Sequence, residues 1–365
     1  MNRVAITRCT RYEEKDVYEA VRQVADSTSF PDCMGRRVLV KPNILSDSRA
    51  EAGITTNPLV VEAVIRICQE RGAAQVYVGD SPGLHTPSFH GQVCGIAEVC
   101  SRTGATWVDF SRDPVQTVLD GGEKVTVASI IDKVDFTISV AKFKTHQLMY
   151  TTGAVKNMFG IMPGLNKSPM HLRHPSRDGF ADFITRLFRK ARVAWALIDS
   201  VIGMEGPGPA NGTLRYVGLM MGGADAFLVD RAEAIVMGHD PADIPILEAG
   251  RKAGLGTSDL SYPLLDAGDL VIDDFRRIEV ERPKGLFSSL VLPFFTRGRD
   301  RRRAQARPAP VFDHERCIRC TRCVQICPAK ALALDGRIEI DTSRCIRCYC
   351  CAEMCLADAI RVEEK

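Results

Sequence analysis

"RVLVKPN" at residues 37–43, "NPLVVEAVIRICQERG" at 57–72 and "AQVYVGDSPG" at 74–83 read as a strand, a helix and a second strand in succession. The outer two runs are short, apolar and β-branched, and each ends in polar or glycine-rich residues. The middle run has Asn57 where an N-cap belongs, Pro58 at the first helical position, apolar residues at helical spacing and a stop at Gly72. Further along, "GQVCGIAEVCSRTG" (91–104) is a weaker helical copy, and "ATWVDF" (105–110) and "VDFTISVAK" (134–142) are two more strands. Strands that alternate with helices predict an α/β fold: an open, mostly parallel, Rossmann-like sheet with helices on both faces.

In such sheets ligands collect at the carboxyl ends of the strands. The residues expected there are Lys41 and Asn43, Asp80 and Ser81, then Lys142, Lys144 and His146, followed by Lys156 and Asn157 in "TTGAVKNMFG". Cationic side chains near exposed backbone amides, with Gly153 allowing close approach, make an anion site. The competing reading is that strand-end lysines are merely solvated. Convergence of Lys41 with the 142–156 group on one sheet edge favours the pocket, with Lys142, Lys144 and His146 as candidate proton donors. The strand "AWALID" brings out Asp199, and the glycine- and proline-rich loop after it carries Glu205. These two carboxylates are candidates for acid or base, for cation ligands, or for partners of the lysines.

The last fifty residues follow a different logic. Cys317, Cys320, Cys323 and Cys327-Pro328 repeat 28 positions later as Cys345, Cys348, Cys351 and Cys355, with Leu356 in place of the proline and Cys350 surplus. Zinc knuckles use paired rather than triplet cysteines, so the spacing points to 4Fe-4S clusters. Between the copies, "ALALDGRIEIDTSR" reads as a hairpin turning at Asp335-Gly336. Residues 311–362 resemble bacterial two-cluster ferredoxins. The resemblance implies crossed ligation, with Cys317, Cys320, Cys323 and Cys355 holding one cluster and Cys345, Cys348, Cys351 and Cys327 the other. Cys350 reads as a packed thiol, with a redox role as the sharper option.

Composition narrows the function classes. The 365 residues carry 48 basic and 45 acidic side chains, too balanced for a nucleic-acid binder by bulk attraction. No apolar run is long enough to span a membrane and the first residues lack a signal peptide, so a cytoplasmic protein is expected. Nine of the 14 cysteines lie in the C-terminal repeat. The other five, Cys9, Cys33, Cys68, Cys94 and Cys100, read as buried thiols in a reducing compartment. "VGDSPG" is no dinucleotide fingerprint, and no phosphate-binding P-loop is present. Electrons are therefore expected from a protein donor, while a flavin, which has no universal motif, stays open. His146, His171, His174 and His239 invite a metal reading, but without thiol companions they read better as loop histidines that touch substrate.

"VLVKPN", "VGDSPG", "AKFKTHQLMYTTGAVKNMFG", "IDSVIGMEGPGPANG" and "MGHDPADIPILEAGRKAGLG" resemble, in this order, a family known as domain of unknown function 362, whose members often carry a ferredoxin-like tail. The resemblance implies architecture and brings no reaction. Three units are expected: an α/β substrate- or cofactor-binding domain (1–283), a linker (284–310) and a small α+β ferredoxin-like domain (311–365). In the linker an apolar run precedes six arginines between Arg297 and Arg307. It suits docking of an acidic electron donor or acceptor, or alternatively contact with a membrane surface, which Pro293 disfavours. The combined expectation is an iron–sulfur oxidoreductase that passes single electrons to an anionic substrate or cofactor. A non-enzymatic carrier or assembly factor, and a ligand-binding protein with structural clusters, are the alternatives.

Overall fold

The computed structural model describes residues 2–46, 48–83, 91–280 and 304–362. In chain order the strands of the larger unit are β1 (Asn2–Arg8), β2 (Arg37–Pro42), β3 (Gln75–Val78), β4 (Thr106–Trp107), β5 (Pro114–Val118), β6 (Lys124–Ala128), β7 (Phe136–His146), β8 (Tyr150–Thr151), β9 (Val193–Glu205), β10 (Thr213–Gly223) and β11 (Leu260–Ser261). The main sheet runs β11-β1-β10-β9-β7-β2-β3-β4, with β8 folded back on β7, and β5 and β6 form a separate hairpin. From β9 to β4 all neighbours are parallel, as the strand–helix alternation predicts. β10 is the exception, antiparallel to both β9 and β1. It follows β9 through a short loop, and a connection of that length can only join antiparallel neighbours.

Alternation along the strands divides the core in two. Val38, Val40, Ile138, Val140, Trp195 and Leu197 face the helices Glu14–Ser27, Pro58–Glu70 and Ile96–Thr103. Leu39, Ala141, Phe143, Ala196 and Ile198 face the helices Arg177–Ala191, Ala226–Val236 and Pro245–Lys252. The helix Pro58–Glu70 begins as its sequence dictates, with the Asn57 side chain accepting from the Leu59 amide. Cys9, Cys33, Cys68, Cys94 and Cys100 all lie in the first of these cores. Among the described residues no helix is long and apolar enough to cross a membrane.

The C-terminal unit pairs β12 (Pro310–Phe312) with β15 (Ile360–Val362), and β13 (Leu332–Asp335) with β14 (Arg337–Ile340) across the Asp335-Gly336 turn. Two short helices, Arg322–Ile326 and Cys350–Glu353, carry cysteines of the two copies. The unit packs on the larger one near its strand ends, where Asn211 Nδ2 donates to the Ala352 carbonyl at 3.3 Å. The linker's apolar run and five of its six arginines lie outside the described residues. The sixth differs from the expectation for its own position alone. Arg307 is buried, and its Nη2 donates to the carbonyls of Pro175 in the larger unit (2.5 Å) and Ile346 in the smaller (3.4 Å). A guanidinium offers five donors in a fixed fork, which suits a seam where loop carbonyls from two units meet.

Candidate functional site

The strand-end lysines are not solvated, but neither do they all meet at one place. Lys41 Nζ pairs with Asp80 Oδ1 at 2.7 Å and donates to Pro42 O and Asn157 Oδ1, with no exposure to solvent. Asp80 is held in turn by the amides of Ile44 and Ser81. Lys142 Nζ pairs with Asp199 Oδ2 at 2.8 Å and donates to the Tyr12 hydroxyl, which itself donates to Asp199 Oδ1. The pleat explains the separation: Lys41 shares a face with Leu39, whereas Lys142 and Lys144 share the opposite face with Ile138 and Val140. Lys144 Nζ accordingly reaches the Ile54 carbonyl at 2.6 Å, on the side of the helix Pro58–Glu70. Burial lowers the proton affinity of all three amines, that of Lys144 furthest, with the Lys156 charge adding to it.

Asp199 therefore holds Lys142, and Glu205 is anchored elsewhere, accepting from the Arg276 backbone amide and Nε. Register accounts for Asp199. It lies within β9 rather than at its end, directly beside Lys142.

What remains converges on a small chamber of about 80 Å³ in the seam between the two units. Of the residues expected at the strand ends, Asn43, Asp80, Ser81, His146, Lys156 and Asn157 line it, whereas Lys41, Lys142, Lys144, Asp199 and Glu205 do not. His146 Nδ1 accepts from the Leu148 and Met149 amides, so the ring hydrogen sits on Nε2, 3.2 Å from Glu353 Oε1. A second ring proton would face those two amides. Burial, reinforced by Lys156, pushes His146 down to about 4. Burial alone would raise Glu353, but His146 and Lys156 outweigh it and hold the carboxyl down to about 2. Lys156 makes no hydrogen bond or ion pair among the described residues, and burial lowers its affinity for a proton.

Of the other wall residues, Lys167 and Glu353 carry no local signal in the sequence, whereas His171 is one of the four histidines singled out there. Lys167 follows the turn Gly164–Asn166, donates to Ser81 O at 2.6 Å and Pro82 O at 3.2 Å, and is pushed by burial down to about 7. His171 stacks on Phe180 at 4.2 Å while His174 turns away to Glu123, so the His-x2-His pair does not converge. His239 lies beside Tyr150, outside the chamber. Glu353 belongs by sequence to the cysteine repeat, and only docking brings it to the strand ends.

The eight repeat cysteines fall into two sets of four. Cys317, Cys320, Cys323 and Cys355 line one small cavity. Cys351 is buried close to Cys348, Cys345 and Cys327, with Cys323 next, and burial first, then these charges, push its thiol well up. Four thiols per set is the donor chemistry that a 4Fe-4S cluster takes. Backbone amides point at the sulfurs: Ala331 N donates to Cys327 Sγ at 3.3 Å and Ala359 N to Cys355 Sγ at 3.2 Å. The two loops thus make the same amide-to-sulfur contact, although Leu356 replaces the proline. Cys350 is buried, neighbours Cys348 and lines the chamber.

Comparison with known proteins places these units. A family model described as domain of unknown function (DUF362) matches residues 38–234, and one described as a 4Fe-4S dicluster domain matches residues 309–356. A thylakoid-associated protein of Synechocystis sp. is 29% identical over 252 residues, which cover 68% of this chain and 78% of that protein. Among solved structures, the lactate racemase apoprotein of Thermoanaerobacterium thermosaccharolyticum aligns with a TM-score of 0.38 and 14% identity over 60% of this chain and 54% of its own. A Thermotoga maritima protein aligns with a TM-score of 0.36 and 12% identity over 54% and 52%. The chain spans about half the length of these two solved structures.

Proposed function

The chain belongs to the DUF362 family and ends in a 4Fe-4S dicluster domain, an electron-transfer module, and from that premise we propose an iron–sulfur oxidoreductase whose anionic substrate is reduced in the seam between its two units. Cys317, Cys320, Cys323 and Cys355 hold one cluster, and Cys345, Cys348, Cys351 and Cys327 hold the other. When bound, the clusters supply one-electron transfer at low potential. A protein donor delivers the electrons from outside.

The chain's own residues supply binding, protons and exclusion of water. Lys156, which makes no hydrogen bond or ion pair among the described residues, binds the substrate anion and meets the negative charge that grows on reduction. His146 holds its hydrogen at Nε2, facing the chamber and Glu353, and as a neutral imidazole it offers a hydrogen bond there rather than a proton. Lys167, with its affinity brought near neutrality, is the proton source. The buried pairs Lys41–Asp80 and Lys142–Asp199 hold strand ends in place rather than touch substrate.

One observation carries the reading: the wall of the chamber is shared. Cys350, Glu353 and Met354, interleaved with cluster-binding cysteines, close the same space as Lys156, Lys167 and His171. The test uses anaerobic protein, pre-reduced with dithionite and mixed with a panel of organic anions while visible absorbance follows reoxidation. At least one anion should reoxidise wild type, and Lys156→Ala should slow that reaction roughly a hundred- to thousandfold while iron content and reducibility stay unchanged. Reoxidation only by other redox proteins, with every anion inert, would leave the carrier reading in its place.

A further inference from the structure

The chamber has room for no more than a compact head group of about three carbons, yet it is not isolated. Its volume of about 80 Å³ equals roughly two to three water volumes. A second cleft of about 440 Å³, within the range of roughly 300–1,000 Å³ of ligand sites, lies against it. Leu45, Glu353 and Met354 line both spaces, so these three side chains form the partition. The outer cleft mixes apolar walls (Ile54, Pro82, Leu356) with Asn211 and Arg322. Two members of the partition are an unbranched thioether, Met354, and Leu45, which pack on each other.

The inner chamber has a specific polar demand. Lys41, Lys144 and Lys167 are committed to a carboxylate or to carbonyls, which leaves Lys156 as the free cation among the described residues that line the chamber. Asn43 Oδ1, Glu353 Oε1 and His171 Nδ1 are buried without a hydrogen-bond partner, and all three residues line the chamber. His171 is 5% exposed. Glu353 Oε1 is within ion-pair reach of His146 but not aligned with it for a hydrogen bond. One cation asks for one acceptor group, and two orphan acceptor oxygens ask for a donor beside it. A dianion such as phosphate would meet one amine on one side and a carboxylate on the other, with no arginine fork to hold it.

We propose that the seam binds a monocarboxylic acid in two parts: a compact head, bearing the carboxylate and an adjacent hydroxyl or amine, in the inner chamber, and an apolar body in the outer cleft. This rests on the reading of the seam as the substrate site and adds the ligand's charge, shape and division. Lys156 takes the carboxylate, Glu353 and Asn43 take the hydroxyl or amine hydrogen, and the body displaces the Leu45–Met354 partition.

Binding is measured by calorimetry and thermal shift on the anaerobic holoprotein, without turnover. The probes are 2-hydroxypropanoate, 2-hydroxyhexanoate, hexanoate, hexan-1-ol and inorganic phosphate. Affinity should rise about three- to fourfold for each methylene that enters the outer cleft. 2-Hydroxyhexanoate should bind more tightly than hexanoate, and hexan-1-ol and phosphate more weakly than either. Lys156→Met should cost at least tenfold for the acids and nothing for hexan-1-ol. Leu356→Trp, at a cleft position that is 57% exposed, should abolish the gain with chain length and leave the three-carbon acid unaffected. Phosphate binding as tightly as 2-hydroxyhexanoate, affinity independent of chain length, or no binding by any probe would each overturn the proposal. Binding as expected in a protein that never reduces the acid would leave the proposal standing and remove the reductase reading instead.

Discussion

The two cysteine copies share one spacing and differ in how far some of their equivalent residues are covered. In the first, Cys320 is exposed and Ile318 beside it is 63% exposed. In the second, the equivalent Cys348 is part-covered, while Cys350, Cys351 and Met354 are buried, and Met354 packs with Leu45 of the larger unit. The second copy contributes most of the C-terminal wall of the chamber, through Cys350, Glu353 and Met354, and the first copy only Ile326. The difference gives the unit a direction, with Cys320 nearest solvent and Cys350 at the chamber.

The sharpest way to break this comparison is to remove one ligand from each copy. Cys320→Ser and Cys348→Ser should each reduce the anaerobic iron count from about eight towards about four per chain. Cys350→Ser should leave the count intact. If Cys350→Ser loses as much iron as Cys348→Ser, the surplus cysteine is a ligand and the inward set is misassigned.

A smaller effect separates the two ends by packing alone. Met354→Ala should lower the stability of the docked protein by about 2 kcal/mol, the low end for a buried methionine because the seam can partly collapse. Ile318→Ala should change it by less than about 0.5 kcal/mol. Urea unfolding of both variants decides it, and equal losses would mean that the outer copy is covered as well.

The mildest test titrates the inward end. Burial pushes His171 down to about 3, so the folded protein binds fewer protons than the unfolded chain below the ordinary histidine value of about 6.5. This depressed group costs nothing at higher pH, and stability falls as pH drops from about 6.5 towards 3, by about 1.4 kcal/mol per pH unit for one histidine. His171→Phe should flatten the stability profile between pH 6 and 5 by about that slope. An unchanged slope would mean that His171 is not shut off from solvent by the docked unit.

Much of this was legible locally. The Asn57 cap, the Asp335-Gly336 turn and the cysteine triplets rest on contacts between residues a few positions apart, so spacing alone specifies them. The strands 37–42 and 75–78 were equally clear, because a strand buried on both faces must be apolar and β-branched. Even the division of the lysines is written in the alternation that pairs Lys41 with Leu39 and Lys142 with Val140. What alternation could not supply is the partner.

Lys142 meets Tyr12 and Asp199, 130 and 57 residues away, and a register shift after that pair sets Lys144 opposite Met204. The same holds for the chamber. Glu353 and Cys350 look like ordinary members of a ferredoxin repeat, and Arg307 like one more linker charge, until the C-terminal unit docks, burying Cys350 and Arg307 and bringing Glu353 into the chamber wall. Sequence by itself determined which residues could bind iron and where strands and helices begin, since hydrogen bonding and side-chain spacing act over a few residues. Only the tertiary structure decided which charges neutralise each other and that Lys156 lines the chamber without an ion pair among the described residues, because charge pairing follows distance in space.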